Sequence, residues 1–140
     1  DLNFEELYIA KPHVFISNNH PLANKEEITI QDLMLYPYLV FEQGKHNSFY
    51  FSEEFLSSLE FSKNIMVRDR ATLFNLLIGL NGFTVCSGII DTELNGENII
   101  SKPLDSDCCM RIGILIRKNS VLSRYGVSYL NVLKNYLSID

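Results

Sequence analysis

The sequence predicts an α/β domain, and three observations predict it. Between residues 38 and 86, apolar runs of strand length alternate with stretches of helical periodicity, in the order strand, helix, strand, helix, strand. Such alternation implies parallel strands joined by right-handed crossovers. Two more strand-like runs, Ile99-Ile100 and Arg111 to Arg117, precede a long closing helix. The chain has 140 residues, 46% hydrophobic and 21% charged, an ordinary globular composition with length enough for one domain and a real core.

Each element has its own signal. Leu7 to Ile9 and Val14 to Ile16 are apolar runs separated by Lys11 and Pro12. They read as one interrupted strand, because proline cannot donate to a sheet ladder. Asn18 to Lys25 carries Asn, His and Pro and reads as a loop. Thr29 is placed to cap a short helix, with Asp32 three residues on near its positive end. Tyr38 to Phe41, bounded by Pro37 and by Gln43-Gly44, has the length and content of a buried strand. Gly44 to Ser48 is polar, and Ser52, Phe55, Leu56 and Leu59 then suit an amphipathic helix. Ile65 to Val67 is the next strand. Asp69 caps the helix after it, where Leu73, Phe74, Leu77 and Ile78 recur at helical spacing. Asn81-Gly82 ends that helix with a left-handed turn, and Phe83 to Cys86 is the third strand. The last helix is expected to bury a face of Tyr125, Tyr129, Leu133, Tyr136 and Leu137.

Charge and composition exclude several functions. The net charge is −5 and the pI about 5.1, whereas a nucleic-acid surface needs clustered Lys and Arg. The densest basic group here is Arg68 with Arg70, so any contact with DNA belongs to another segment. Cys86, Cys108 and Cys109 are too few and badly spaced for a disulfide framework or a zinc site. Adjacent cysteines bridge only with strain, and a reducing cytoplasm is the simpler setting. No apolar run approaches the ~18 to 20 residues that span a bilayer. No leader opens the chain, which begins at Asp1 and reads as a fragment.

Catalytic and metal signals are also weak. His13 and His20 read as a strand residue and a turn residue. Three histidines with no i, i+4 pair make no metal site. Cys86 reads as a small buried residue, and a Cys86–His46 pair has no evident orienting acid. Glu5-Glu6, Glu26-Glu27 and Glu53-Glu54 read as solvated pairs rather than converging acids. Gly79, Gly82 and Gly88 fit neither the dinucleotide nor the P-loop pattern. No cofactor is expected.

Five segments, in this order, resemble the effector-binding domain of LysR-type transcriptional regulators. They are Asn19-His20-Pro21-Leu22-Ala23, Ile28 to Leu33, Tyr36-Pro37-Tyr38-Leu39-Val40, Leu76 to Ser87, and Arg111 to Lys118. Their order and spacing cover nearly the whole chain. The resemblance implies a type-2 periplasmic-binding-protein-like fold: two Rossmann-like lobes joined by two crossing strands, with the ligand in the interlobe cleft. On that pattern residues 1–16 are the end of the first lobe and the first crossing strand, and 17–101 the second α/β lobe. Residues 102–140 are then the return crossing, strand and C-terminal helix of the first lobe. The N-terminal part of that lobe and the helix-turn-helix are missing. Where the family usually has a proline after the glycine-turn strand, this chain has Ser87-Gly88.

The resemblance further implies a ligand-sensing domain and no enzyme, cytoplasmic and off the membrane. It implies a homodimer or tetramer that reaches DNA only through the missing helix-turn-helix. The alternative is a solute-binding receptor of a transporter with the same two-lobe fold, which needs a leader or lipidated cysteine. An enzyme on the same lobes needs converging groups with shifted pKa values, and the sequence offers no such set.

Ligands of open α/β sheets sit at the carboxyl ends of strands, where helix N-termini favour anions. Lys45, His46, Asn47 and Ser48 follow the first such strand and together can hold a carboxylate, phosphate or sulfate; a solvated polar loop is the plain alternative. Arg68 and Arg70 stand at the second strand-to-helix junction and can grip a carboxylate, or simply pair with nearby acids. Ser87, with Gly88, follows the third strand. Lys11, with Ala10, lies on the first crossing. The metabolite expected is anionic or polar. Peroxide-sensing members carry a reactive cysteine in the loop that reads Lys45-His46-Asn47 here, and none is present.

Overall fold

A computed structural model describes residues 1–42 and 61–137. The candidate loop Lys45 to Ser48 and the helix expected over Ser52 to Leu59 lie outside the described residues. The chain divides into two compact units, Asp1–Ala10 with Met110–Asp140, and Lys11–Cys109. The expectation of one interrupted strand near the start is corrected. β1 (Leu2–Ala10) and β2 (His13–Ser17) are separate strands with different partners. Pro12 is the reason: it has no N–H for a ladder, and its carbonyl instead accepts the Leu104 N–H at 3.1 Å.

In the larger unit, β2 lies between β5 (Thr84–Cys86) and β6 (Ile99–Pro103), antiparallel to both. β3 (Tyr38–Phe41) pairs in parallel with β4 (Asn64–Val67). A parallel bridge between Tyr38 and Phe83 joins the two ladders, held by Leu39 N–H to Phe83 O (2.8 Å) and Phe83 N–H to Pro37 O (2.9 Å). β3, β4, β5 and β6 therefore run one way, and β2 runs against them. Both faces are covered, as a continuous apolar run requires. Val14 and Ile16 point into a cluster with Ile28, Leu33, Tyr38 and Phe83. Phe15, between them in sequence, points into the other with Leu39, Val67, Leu73, Leu77 and Ile99.

Both expected N-caps form. Thr29 and Asp32 make a reciprocal capping box on the short α1 (Ile30–Leu33). The Lys25 ammonium, 2.6 Å away, and the Thr29 N–H and hydroxyl hold the Asp32 carboxyl down at about 2. Asp69 caps α2 (Arg70–Leu80), accepting the Thr72 N–H at 2.8 Å, and Leu73 and Leu77 carry the buried stripe. Asn81, rather than a glycine, takes the left-handed cap (φ 47°), which asparagine tolerates best among residues with a Cβ. Gly82 answers a different need: a Cβ there would collide with the Leu39 side chain.

His20 ties the loop after β2 to that cap. Its Nδ1 accepts the Leu22 N–H at 3.1 Å, so Nε2 carries the hydrogen and donates to Asn81 O at 3.0 Å. The ring is buried beside Tyr36, with centroids 4.4 Å apart. Burial pushes the His20 pKa below the ordinary 6.5, partly opposed by the Asn81 carbonyl. Only the neutral ring can accept from Leu22, and the unfolded chain takes up the proton more readily. The stabilisation is therefore fully present above pH 6.5 and is lost as the pH falls through the lowered folded value. Urea midpoints should fall with acidification over that window for the natural chain and stay flatter for His20→Gln. Parallel profiles would refute the assignment.

The smaller unit pairs β1 with β7 (Met110–Arg117) from Leu2 opposite Arg117 to Ala10 opposite Met110, with a bulge between Glu6 and Tyr8. Gly113 sits where a Cβ would strike the Glu5 carbonyl and the Phe4 ring. The strands cannot separate there without losing ladder bonds. Gly113→Ala should cost about 1–3 kcal/mol as an overpacked site, read as a lower denaturant midpoint.

After the one-turn α3 (Thr92–Asn95), the closing helix α4 (Arg124–Leu137) corrects another expectation. Its half-buried side is Gly126, Leu130, Leu133, Lys134 and Leu137, whereas Tyr125, Tyr129 and Tyr136 are 77%, 66% and 73% exposed. α4 packs on β1, with Lys134 ion-paired to Glu5, and a tyrosine ring tolerates water through its hydroxyl. Among the described residues no helix is long and apolar enough to cross a membrane.

Candidate functional site

The strand directions of the larger unit decide where its polar groups collect. β3, β4 and β5 end at Phe41, Val67 and Cys86, so Glu42, Arg68 and Ser87 emerge at one edge of the sheet. β2 runs the other way and begins at that edge, since His13 stands opposite both Cys86 and Pro103. Lys11, two residues before, is at the same edge. Arg70 opens α2 there, directly after the Asp69 cap. Lys11, Arg68, Arg70 and Ser87 are thus gathered by one sheet within one compact unit. Lys45 to Ser48 continue the chain from β3 but lie outside the described residues.

The charges along this edge are not equivalent. Glu42 and Arg68 are the next pair after Phe41 and Val67 in the parallel register, with Glu42 N–H bonded to Val67 O at 2.9 Å. Their side chains form an ion pair between the Arg68 Nε and the Glu42 carboxylate. The guanidinium holds the Glu42 carboxyl below its usual range, and the carboxylate raises Arg68 in turn. The pair is largely exposed, so it contributes little to stability. Its consequence is for recognition: Glu42 competes with an incoming anion for the Nε and Nη2 donors of Arg68.

Asp69 is also committed, its carboxylate held below the ordinary range by the Thr72 N–H and hydroxyl. Arg70 lies over the Phe74 ring, 5.0 Å from its centroid, and such stacking leaves the guanidinium edge open for hydrogen bonding. Among the described residues no ion pair engages Lys11 or Arg70. Gly88 has φ +87°, and a Cβ there would lie 2.6 Å from the His13 ring. Glycine at this point lets the backbone after β5 approach the imidazole closely. A proline fixes φ near −65° and cannot occupy position 88.

Sequence reasoning missed Glu42. Its only signal is an acid placed directly after the β3 run, which gains meaning once the parallel register with β4 is known. Among the described residues no group of three or more His, Cys, Asp or Glu side chains is placed to hold a metal ion.

With this geometry in view, the comparisons are specific. The LysR substrate binding domain model matches residues 1–137, and the chain belongs to that family. Such domains are ligand-sensing regulatory modules, not enzymes. A curated relative, the malolactic fermentation system transcriptional activator of Lactococcus lactis subsp. lactis (strain IL1403), is 26% identical over 138 residues. That match takes in 95% of this chain and 46% of the relative. The crystal structure of HinK, a LysR family transcriptional regulator from Pseudomonas aeruginosa, has a TM-score of 0.72 at 16% identity, covering 97% of this chain and 48% of HinK. The effector binding domain of QuiR in complex with shikimate has a TM-score of 0.69 at 20% identity, covering 99% of this chain and 66% of that one. The fold is therefore the type-2 periplasmic-binding-protein-like α/β fold of LysR effector-binding domains. The chain spans about half the length of the full regulators it matches.

Proposed function

We propose that the Lys11–Cys109 unit receives a small anionic or polar effector at the carboxyl ends of its parallel strands. The observation that carries this reading is the collection of Lys11, Arg68, Arg70 and Ser87 along one edge of one sheet. Arg70 supplies a planar fork for a carboxylate, Lys11 adds a point charge, and Ser87 offers a hydroxyl to a neighbouring oxygen. Lys45, His46, Asn47 and Ser48 follow β3 in the sequence and complete the proposed set. Arg68 joins in competition with Glu42. QuiR was solved with shikimate, a carboxylate; at 20% identity that neighbour speaks for the fold, and the anion preference rests on the residues of this chain.

In the complete protein, effector binding favours one arrangement of lobes over another, and a homodimer or tetramer passes the change to a DNA-binding segment. The ligand must bind the two arrangements unequally for this to operate. Regulation of this kind places the protein in the cytoplasm. Thermal-shift screening of the chain against small carboxylates, amino acids and phosphoesters tests the reading. Stabilisation by anionic or polar compounds is expected, following mass action. Stabilisation by neutral apolar compounds alone contradicts it.

A further inference from the structure

The connection from β6 to β7 carries Cys108 and Cys109, side by side and both exposed. The chain is anchored on each side of them. Asp105 N–H donates to Ile28 O at 2.8 Å, and Met110 is in register with Ala10. Between these anchors residues 106–109 form neither helix nor strand. The Cys108 N–H is accepted by Ser106 Oγ at 3.2 Å, a local bond that leaves the side chains open to solvent. The proposed effector edge does not use these thiols, and Cys86, half-buried in β5, stands apart from them in the sequence.

Adjacency decides which thiol chemistry suits the pair. Two consecutive Cα atoms are ~3.8 Å apart across a trans peptide. A relaxed disulfide wants ~4.4–6.8 Å between its Cα atoms and sulfurs drawn to ~2.05 Å. Direct oxidation is therefore strained. A single soft atom bridging the two sulfurs leaves them near van der Waals separation and adds a member to the ring, which relieves that strain. Thiolates are soft ligands and select soft acceptors. Asp105 and Asp107, close by in sequence, disfavour an anionic attacker over a neutral one.

We infer that Cys108 and Cys109 form a dithiol clamp for a neutral, soft, thiophilic centre that accepts two thiolates, of which a monosubstituted trivalent arsenical is the fitting class. With phenylarsine oxide the balance is simple. Two As–S bonds form, the As–O bond breaks, and the oxygen leaves as water carrying both thiol protons. Arsenic remains trivalent, and no oxidant or reductant takes part.

The test treats the reduced chain with phenylarsine oxide and reads intact mass. One phenylarsenic adduct per chain is expected, resistant to excess monothiol and removed by dimercaptopropanol. Cys86→Ser should keep that adduct, whereas Cys108→Ser and Cys109→Ser should each lose its resistance to monothiol. All four proteins should first show the same circular dichroism, and peptide mapping should place the adduct on residues 108 and 109. An adduct that still resists excess monothiol in Cys108→Ser or Cys109→Ser, that maps to Cys86, or that a monothiol strips from the natural chain overturns the inference. So does an adduct that links two chains.

Discussion

Phe83→Ala should lower the unfolding free energy by about 3–5 kcal/mol, the cost usual for removing a fully buried aromatic ring. Phe83 is 0% exposed. Its ring stacks on Tyr38 with centroids 5.0 Å apart and meets Phe61 edge-on at 5.3 Å. Its N–H and carbonyl are the bonds that seat β5 beside β3. The substitution keeps those backbone bonds but empties the space that positions them. Chemical denaturation is the measurement, and a lower midpoint at unchanged slope is expected. A loss below about 1 kcal/mol would mean that the cluster repacks around the vacancy. The same substitution should weaken effector binding, because Ser87, just after β5, is held beside β3 through this joint.

The second large effect is one of recognition, and it has two opposite signs. Glu42→Gln removes the carboxylate that occupies Arg68 while leaving an isosteric side chain in register. Binding of a small carboxylate should then tighten, because the competing charge beside Arg68 is gone. Arg68→Met keeps the aliphatic stem and removes the fork, and binding should weaken by roughly ten- to a hundredfold, as loss of a charge-assisted pair implies. Isothermal titration with one carboxylate across the natural chain and both variants reads the pair directly. Equal affinities in all three would show that Arg68 takes no part in binding.

Elements whose signals are local were legible in the sequence. The caps at Thr29 and Asp69 satisfy N–H groups within three residues, and the burial of Leu73 and Leu77 follows from helical spacing. The parallel pairing of β3 with β4 followed from the alternation of strand and helix. Features set by distant partners were not legible. Whether Pro12 bends one strand or separates two depends on β5, β6 and β7, which lie some 70 to 100 residues away. The outward tyrosines of α4 share a periodicity with its leucines, and which stripe turns inward is decided by packing on β1, at the other end of the sequence.

The candidate site divides the same way. Its residues were visible as polar groups after apolar runs, because strand ends are where the backbone leaves the core. The neutralisation of Arg68 by Glu42 was hidden, since it needs the register of two strands 26 positions apart. Ser87-Gly88 stands where the resemblance leads one to expect a proline, and the positive φ of Gly88 is one that a proline cannot adopt.

The anion-reading edge is most directly tested by amide chemical-shift mapping of the chain, titrated with the carboxylate that most stabilises it. Saturable shifts should concentrate at Lys11, His13, Arg68, Arg70, Ser87 and Gly88. Shifts confined to the opposite end of the same strands, at Ser17, Asn64 and Ile99, or to α4, would contradict it.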